Sequence, residues 1–245
     1  RRAEEVSVLA APGLEAVCVS WREGEGVRSA VLRASMLENY PALLRALFAG
    51  DIRKNTHDLK SLLSHLRAQD IEGEGFCFDT ALAAYLLAPT DGSYGLEKRG
   101  LTYFNREYPK AKETYLAEDA FAPLAGGEAE EALASHTALT GALKEVLALR
   151  LEELGMHQLY YEVELPLCPV LAEIEHTGML VDREALAAFG RMLNDRIAQV
   201  QERIYEQAGE KFNILSPKQL GHILFDKMGL PPVKKTKTGY STSAE

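Results

Sequence analysis

The first third of the chain begins with alternating apolar and polar positions. Val6, Val8 and the apolar run after them predict a first strand, and the alternation from Leu14 to Trp21 predicts a second. A Gly24-Glu25-Gly26 turn leads to a third strand over 27–32, and so short a connection makes antiparallel neighbours. We therefore expect a sheet that starts with adjacent antiparallel strands.

Helical spacing then alternates with short strand candidates. The pattern predicts helices over 43–48, 57–66, 79–87, 96–104 and 128–154, and short strands at 51–55 and 76–78. Strand–helix alternation behind a hairpin is typical of a mixed sheet covered by helices. The first part of the chain is therefore expected to be an α/β domain.

The rest of the chain is predicted to be almost entirely helical. Pro166 and Pro169 are expected to flank a turn into a helix over 170–176. A long helix is predicted from an N-cap at Asp182 to a terminating Gly209. Its apolar stripe comprises Leu186, Phe189, Leu193, Ile197, Val200, Ile204 and Ala208. A stripe this narrow favours pairing with one other helix.

A capped helix and a basic loop follow the long helix. Ser216-Pro217-Lys218-Gln219 fits a capping box with Pro at the first helical position. A helix N-terminus attracts anions, and the lysines and hydroxyls of 234–243 are groups that hold phosphates without reading sequence. The alternative interpretation is an ordinary capped helix beside a solvated lysine loop.

The charge distribution changes the first impression of an acidic protein. The 245 residues carry a net charge of −9, yet residues 211–245 hold six lysines against two acidic residues. A basic segment in an acidic chain indicates a polyanionic partner. No apolar run is long enough to cross a membrane, and no secretory leader is expected.

Candidate catalytic groups are few. The three cysteines and six histidines show no metal-binding spacing. Asp58 and Asp79 follow predicted strands, but Asp79 suits an N-cap and both are expected to be structural. His136 has no acid or nucleophile near it in sequence, so a structural role is favoured over a general base.

Three segments resemble bacterial family A DNA polymerases. Glu164-Leu-Pro-Leu-Cys-Pro-Val-Leu-Ala-Glu-Ile-Glu-His-Thr-Gly178 is similar to the start of the polymerase region. Phe212-Asn-Ile-Leu-Ser-Pro-Lys-Gln-Leu220 and Lys235-Thr-Lys-Thr-Gly-Tyr-Ser-Thr-Ser-Ala244 are similar to the thumb. Residues 1–157 resemble, more weakly, the 3′–5′ exonuclease domain of the family, most clearly around Asp79-Thr80.

The resemblance implies a two-domain fragment. Residues 1–157 would form a ribonuclease-H-like α/β exonuclease domain, and residues 158–245 an all-α thumb segment that stops before palm and fingers. The parent would be a DNA-directed DNA polymerase, a cytoplasmic, nucleoid-associated nucleotidyltransferase of replication and repair. Its partners would be primer–template duplex and the remaining palm and fingers, with no membrane. The implied DNA contacts are Asn213, Ser216, Lys218, Gln219, Lys234, Lys235, Thr236, Lys237, Thr238, Ser241 and Thr242.

Departures from the family pattern imply that the exonuclease-like domain is inactive. The positions of its metal-binding carboxylates are occupied by Leu9, Ala11, Leu62 and His136, and Ala132 replaces the family tyrosine. Mg²⁺ needs oxygen ligands, so we expect no catalytic residue and no cofactor in this chain. The resemblance implies Mg²⁺ only in the polymerase site of the parent, which lies outside this chain. The alternatives are an active exonuclease with displaced carboxylates and a non-catalytic protein-interaction module.

Overall fold

The chain folds into two compact units in a computed structural model. The structure describes residues 5–122, 127–232, 235–236 and 239–242. The first unit extends to Gly178 and the second begins at Met179. The sequence places this boundary at 157/158, and the structure differs because the helix that ends before Gly178 packs on the first unit.

A five-stranded mixed sheet forms the centre of the first unit. The strands are β1 (Val6–Ala10), β2 (Ala16–Glu23), β3 (Gly26–Arg33), β4 (Lys54–Thr56) and β5 (Phe76–Asp79). Their order is β3-β2-β1-β4-β5. The pairs β1–β2 and β2–β3 are antiparallel, as the short turn predicts, whereas β4 runs parallel to both β1 and β5. The sheet is therefore the mixed sheet that the sequence predicts.

Helices surround this sheet. They are α1 (Tyr40–Leu47), α2 (Leu59–Arg67), α3 (Thr80–Leu87), α4 (Leu96–Phe104), α5 (Glu128–Glu153) and α6 (Leu165–Thr177). The long α5 packs along β1, β2 and β3. Leu133, Leu139, Leu143, Leu147 and Leu151 on its inner face are buried, with Leu133 and the last three fully enclosed. Burial of these leucines, about 1.5–3 kcal/mol each, is a principal source of the stability of this unit.

The predicted turn between Pro166 and Pro169 is wrong, because α6 runs through both prolines. Pro166 is the second residue of α6, and Pro169 lies inside the helix, where its missing N–H removes an intrahelical bond. A wider, π-type helical turn over Leu159–Glu164 precedes it. From this position α6 packs on α2, and Arg67 on α2 forms an ion pair with Glu173 at 3.0 Å.

The second unit is built on α7 (Arg183–Ala208). Asp182 caps its start by accepting from the Ala185 N–H at 2.9 Å, and Gly209 ends it with φ of 73°. A short helix α8 (Pro217–Gly221) continues as a π-type turn over His222–Lys227. The backbones of β6 (Lys235–Thr236) and β7 (Gly239–Tyr240) pair antiparallel. The predicted limits and caps of the long helix are confirmed.

Within the described part of the chain, none of the helices combines the length and apolar character needed to cross a membrane.

Candidate functional site

The predicted contact residues at the tip of the second unit hold one another in place. The Gln219 side-chain oxygen accepts from the Asn213 backbone N–H at 2.8 Å. The Asn213 side-chain oxygen accepts from the Leu215 N–H at 3.0 Å, and Ser216 Oγ accepts from the Gln219 N–H at 3.4 Å. The capping box is therefore modified, because Gln219 reaches Asn213 rather than the N–H of its own N-cap residue.

This arrangement determines which atoms the tip presents to solvent. A backbone N–H can donate to the oxygen of a side-chain amide but not to its NH₂ group. The bonds from the Asn213 and Leu215 N–H groups therefore fix the amide orientations of Gln219 and Asn213. The remaining polar groups of the two side chains are NH₂ donors on exposed residues. Lys218, also exposed, adds an ammonium group. Donors of this kind suit phosphate oxygens.

Other lysines of the second unit are already paired. Lys211 lies 3.4 Å from Glu202 and over the Tyr205 ring, and Lys227 lies 3.1 Å from Glu210. Sequence reasoning gave no signal for these pairs, because their partners lie nine and seventeen positions away. Both pairs are solvent-exposed and therefore weak, so they do not exclude either lysine from contact with a polyanion.

The basic loop lies only partly within the described residues. Lys234, Lys237 and Thr238 fall outside them, and Lys235 and Thr236 are described only as the backbone of β6. Thr242 is half-buried, and its Cγ2 lies 3.6 Å from the position that a Cβ on Gly221 would take. The end of the loop, with Ser241 before Thr242, is thus brought against α8, so the two regions predicted to contact DNA are neighbours.

The residues at the predicted lost metal site are part of the core of the first unit. Ala11 and His136 are fully buried, and Leu9 and Leu62 nearly so. The buried Ala132 lies one helical turn before His136. Within the part of the chain that the structure describes, no group of three His, Cys, Asp or Glu could hold a metal ion.

His136 is a buried neutral ring. Its Nδ1 lies 3.0 Å from the Tyr115 hydroxyl, and the rings of Tyr115 and Tyr108 pack beside it. Among the described residues its Nε2 has no hydrogen-bond partner. Burial, which disfavours the charged ring, lowers the pKa of His136 to about 4. A ring that stays neutral at pH 7 and is closed to solvent serves packing, as the sequence favours.

Asp79 has the structural role that the sequence favours. Its Oδ1 accepts from the N–H groups of Asp58, Ala81 and Leu82, and its Oδ2 accepts from that of Leu59. One carboxylate therefore caps the starts of both α2 and α3. Burial raises the pKa of Asp79, and these four bonds oppose that rise.

Asp58 also caps α2. One of its carboxylate oxygens accepts from the Ser61 N–H at 3.3 Å and the other from the Ser61 hydroxyl at 2.7 Å. Its φ of 63° is in the left-handed region, which this local bonding supports. Both aspartates are thus engaged in helix capping.

The chain shares sequence with a known polymerase family. Residues 183–245 match the family model "DNA polymerase family A". DNA polymerase I of Bacillus subtilis is 42% identical over 201 residues, covering 79% of this chain and 22% of that protein. DNA polymerase I of Caldicellulosiruptor bescii is 38% identical over 204 residues, covering 83% of this chain and 22% of that protein. The chain thus spans about a fifth of the length of these relatives, and the predicted resemblance is confirmed.

Two solved structures share its fold. One is the POL domain of Pol1 from M. smegmatis in complex with DNA primer-template and dNTP, 28% identical with a TM-score of 0.80. That match covers 98% of this chain and 40% of the other. The other structure is NrnC of Brucella melitensis, 20% identical with a TM-score of 0.58 over 72% of this chain and 87% of that one. The latter likeness concerns the fold alone.

Proposed function

We propose that this chain, which is related over most of its length to bacterial DNA polymerase I, supplies two parts of such an enzyme. The first unit is a ribonuclease-H-like exonuclease domain that acts as a scaffold without catalysis. The second unit is the first part of a thumb that binds primer–template duplex through its phosphates. The activity to which they contribute is template-directed DNA synthesis.

The observation that carries this proposal is the family A match over 183–245, the segment that holds the donor-rich tip. Phosphate recognition needs positive charge and hydrogen-bond donors rather than a fixed base-reading pattern. Lys218 and the amide groups of Asn213 and Gln219 meet this need. The solved relative that shares the fold of this chain was obtained with primer-template DNA.

The scaffold role rests on the chemistry of the buried residues at the family metal positions. Leu9, Ala11 and Leu62 offer no ligand atom, and the neutral His136 offers a nitrogen where Mg²⁺ prefers oxygen. These residues do not fit the Mg²⁺ ions of an active exonuclease, so no reaction step is assigned to the first unit. Mg²⁺ belongs to the polymerase site of the parent, which palm residues outside this chain would form.

The exposed stripe of α7 is proposed to pack against the remainder of that polymerase. Leu186, Phe189 and Ile197 are each more than half exposed. Apolar faces of this length are usually covered by a partner element. A second, antiparallel helix of the thumb of the parent is the expected source of that cover.

Salt-dependent DNA binding tests the thumb assignment. Fluorescence anisotropy of a labelled primer–template duplex is measured for the whole chain at several salt concentrations. The logarithm of the association constant should fall with the logarithm of salt by about 0.9 for each phosphate contact. Lys218→Gln should flatten this slope by about 0.9. Lys211→Gln removes the same charge from a lysine that is not among the predicted DNA contacts and should leave it unchanged.

A salt titration that is flat in the unsubstituted chain would contradict the proposal. Equal effects of Lys218→Gln and Lys211→Gln would show that only net charge matters. A protein partner that binds without competition from duplex DNA would instead favour the interaction-module alternative.

A further inference from the structure

The exposed face of α8 continues beyond the residues predicted to contact DNA. Lys218 and Gln219 are exposed in the first turn of this helix, and His222, one turn after them, is exposed as well. Residues three and four positions apart are neighbours on a helix surface. Ile223, the next residue, is buried and marks the inner side of the helix. His222 therefore stands beside two of the predicted phosphate contacts.

An acid one turn further along holds the His222 ring. The Nδ1 atom of His222 lies 2.9 Å from Asp226 Oδ2, at i,i+4 spacing. An ionised carboxylate can only accept, so Nδ1 carries the hydrogen of this bond. The role of the other ring nitrogen, Nε2, then depends on the charge of the ring. Nε2 is an acceptor in the neutral ring and a donor in the protonated ring.

A phosphate group can use only one of these two states. Its oxygens are acceptors, so they can bond to Nε2 only when the ring is protonated. The His222 side chain is 65% exposed, which leaves room for such a ligand. Hydrogen bonds between charged partners are about twice as strong as neutral ones. A phosphate at His222 would therefore be bound together with a proton taken from solvent.

Charges of both signs face the ring from its own helix. The Asp226 carboxylate bonds to one side of it, and Lys218 carries an ammonium group four positions earlier on the same face. Like charges at this spacing repel each other, so a protonated His222 beside Lys218 lacks a counter-charge on that side. A phosphate supplies this counter-charge. The binding of phosphate and the binding of a proton should therefore reinforce each other.

The neighbouring elements contribute groups of a different kind. Lys227, on the same turn as Asp226, lies 3.1 Å from Glu210. The strand β7 packs on α8, and the acid or base that it carries is Tyr240. Tyrosine and lysine side chains ordinarily titrate at about pH 10, whereas histidine is the side chain that ordinarily changes charge between about pH 5 and 8. A response to pH near neutrality at this face should thus report on His222.

We propose that His222 is a further phosphate contact of the tip, that Asp226 positions it, and that it binds duplex DNA as the protonated ring. This inference rests on the thumb function proposed above and adds a regulation to it. DNA binding takes up one proton from solvent and becomes stronger as the pH falls. A neutral side chain at this place would leave binding through Lys218 intact but insensitive to pH.

Anisotropy titrations of a labelled primer–template duplex with the whole chain at pH 6 and pH 8 test this inference. Binding should be about threefold or more tighter at pH 6, because the complex holds the additional proton. The slope of the logarithm of the association constant against the logarithm of salt should also steepen at pH 6, by about 0.9 at most for one further charged contact. His222→Gln should remove both changes and leave binding at pH 8 nearly unaltered.

Matched variants separate His222 from other histidines and from general charge effects. His65→Gln replaces an exposed histidine on α2, outside the predicted DNA contacts, and should keep the full response to pH. Asp226→Asn and Asp226→Ala remove the same charge, but only asparagine retains an acceptor for the Nδ1 hydrogen of His222. The asparagine variant should therefore keep more of the response than the alanine variant.

The outcomes distinguish this inference from the function on which it rests. An absence of duplex binding at both pH values would contradict the thumb function and this inference with it. Binding that does not depend on pH, or a response that His222→Gln and His65→Gln change equally, would overturn the role of His222 and leave the thumb function standing. Equal responses of the two Asp226 variants would overturn the positioning role of Asp226. Circular dichroism at both pH values confirms that a lost response does not come from unfolding.

Discussion

The Tyr160 hydroxyl is hydrogen bonded to both backbone polar groups of Asp79. It accepts from the Asp79 N–H at 2.7 Å and donates to the Asp79 carbonyl at 3.0 Å. The ring is fully buried and packs on Phe78, with centroids 4.9 Å apart. One side chain thus fixes the turn between β5 and α3, where Asp79 also caps two helices. This contact joins the segment leading into α6 to the sheet.

Removal of the Tyr160 hydroxyl should lower the free energy of unfolding. Tyr160→Phe keeps the ring but leaves the N–H and carbonyl of Asp79 buried without this partner. We expect a loss of about 1–3 kcal/mol in the free energy of unfolding, measured by urea denaturation. Tyr85→Phe, at a tyrosine that is 45% exposed, is the control and should change stability by less than about 0.5 kcal/mol. Equal losses in the two variants would show that the two hydrogen bonds of Tyr160 stabilise the fold no more than an exposed tyrosine hydroxyl does.

Acid should destabilise the first unit through His136. Its folded-state pKa of about 4 lies below the ordinary value of 6.5, so the unfolded chain binds the proton more readily. The stabilisation that comes from keeping His136 neutral is fully present above pH 6.5 and is lost as the pH falls toward 4. The maximum loss is about 3 kcal/mol, from roughly 1.4 kcal/mol for each unit of pKa difference.

His136→Gln should therefore reduce the dependence of the urea midpoint on pH between 7 and 5; the remainder should come from His57, whose pKa burial also lowers to about 4. His222→Gln replaces an exposed histidine and should leave the unsubstituted profile unchanged. If both variants keep the full slope, His136 does not carry the acid sensitivity.

Nuclease assays should find no product from this chain. The buried Leu9, Ala11 and Leu62 provide no metal ligands, so we expect no mononucleotide release from single-stranded DNA with Mg²⁺ or Mn²⁺. Under the alternative of displaced carboxylates, Asp58 is a substitute ligand that can be tested, because it is exposed beside the start of α2. Release that persists through purification and disappears in Asp58→Asn would establish that alternative.

Sequence patterns within a segment predict the helices and strands of this fold better than they predict contacts between distant residues. The α7 helix could be read from its stripe, its Asp182 cap and its terminal Gly209, because all three signals lie within the helix or beside it. The start of α6 differs from the predicted turn, because Pro169, which by local rules favours a turn, lies inside the helix. Nothing in the sequence reveals that Tyr160 meets Asp79, 81 positions earlier. The same holds for Tyr115 and His136, which only the fold brings together.

The apolar stripe of α7 should make the isolated chain self-associate. Leu193 and Ile197 are 43% and 53% exposed, and Phe189 is 53% exposed. Contiguous apolar surface of this kind drives association in water. Sedimentation velocity should show oligomers that increase with protein concentration. Ile197→Glu should shift the chain toward monomer, whereas Ala198→Glu adds the same charge at the neighbouring exposed position off the stripe and should have little effect. A chain that stays monomeric at all concentrations, or an equal response to both variants, would show that the stripe does not mediate association.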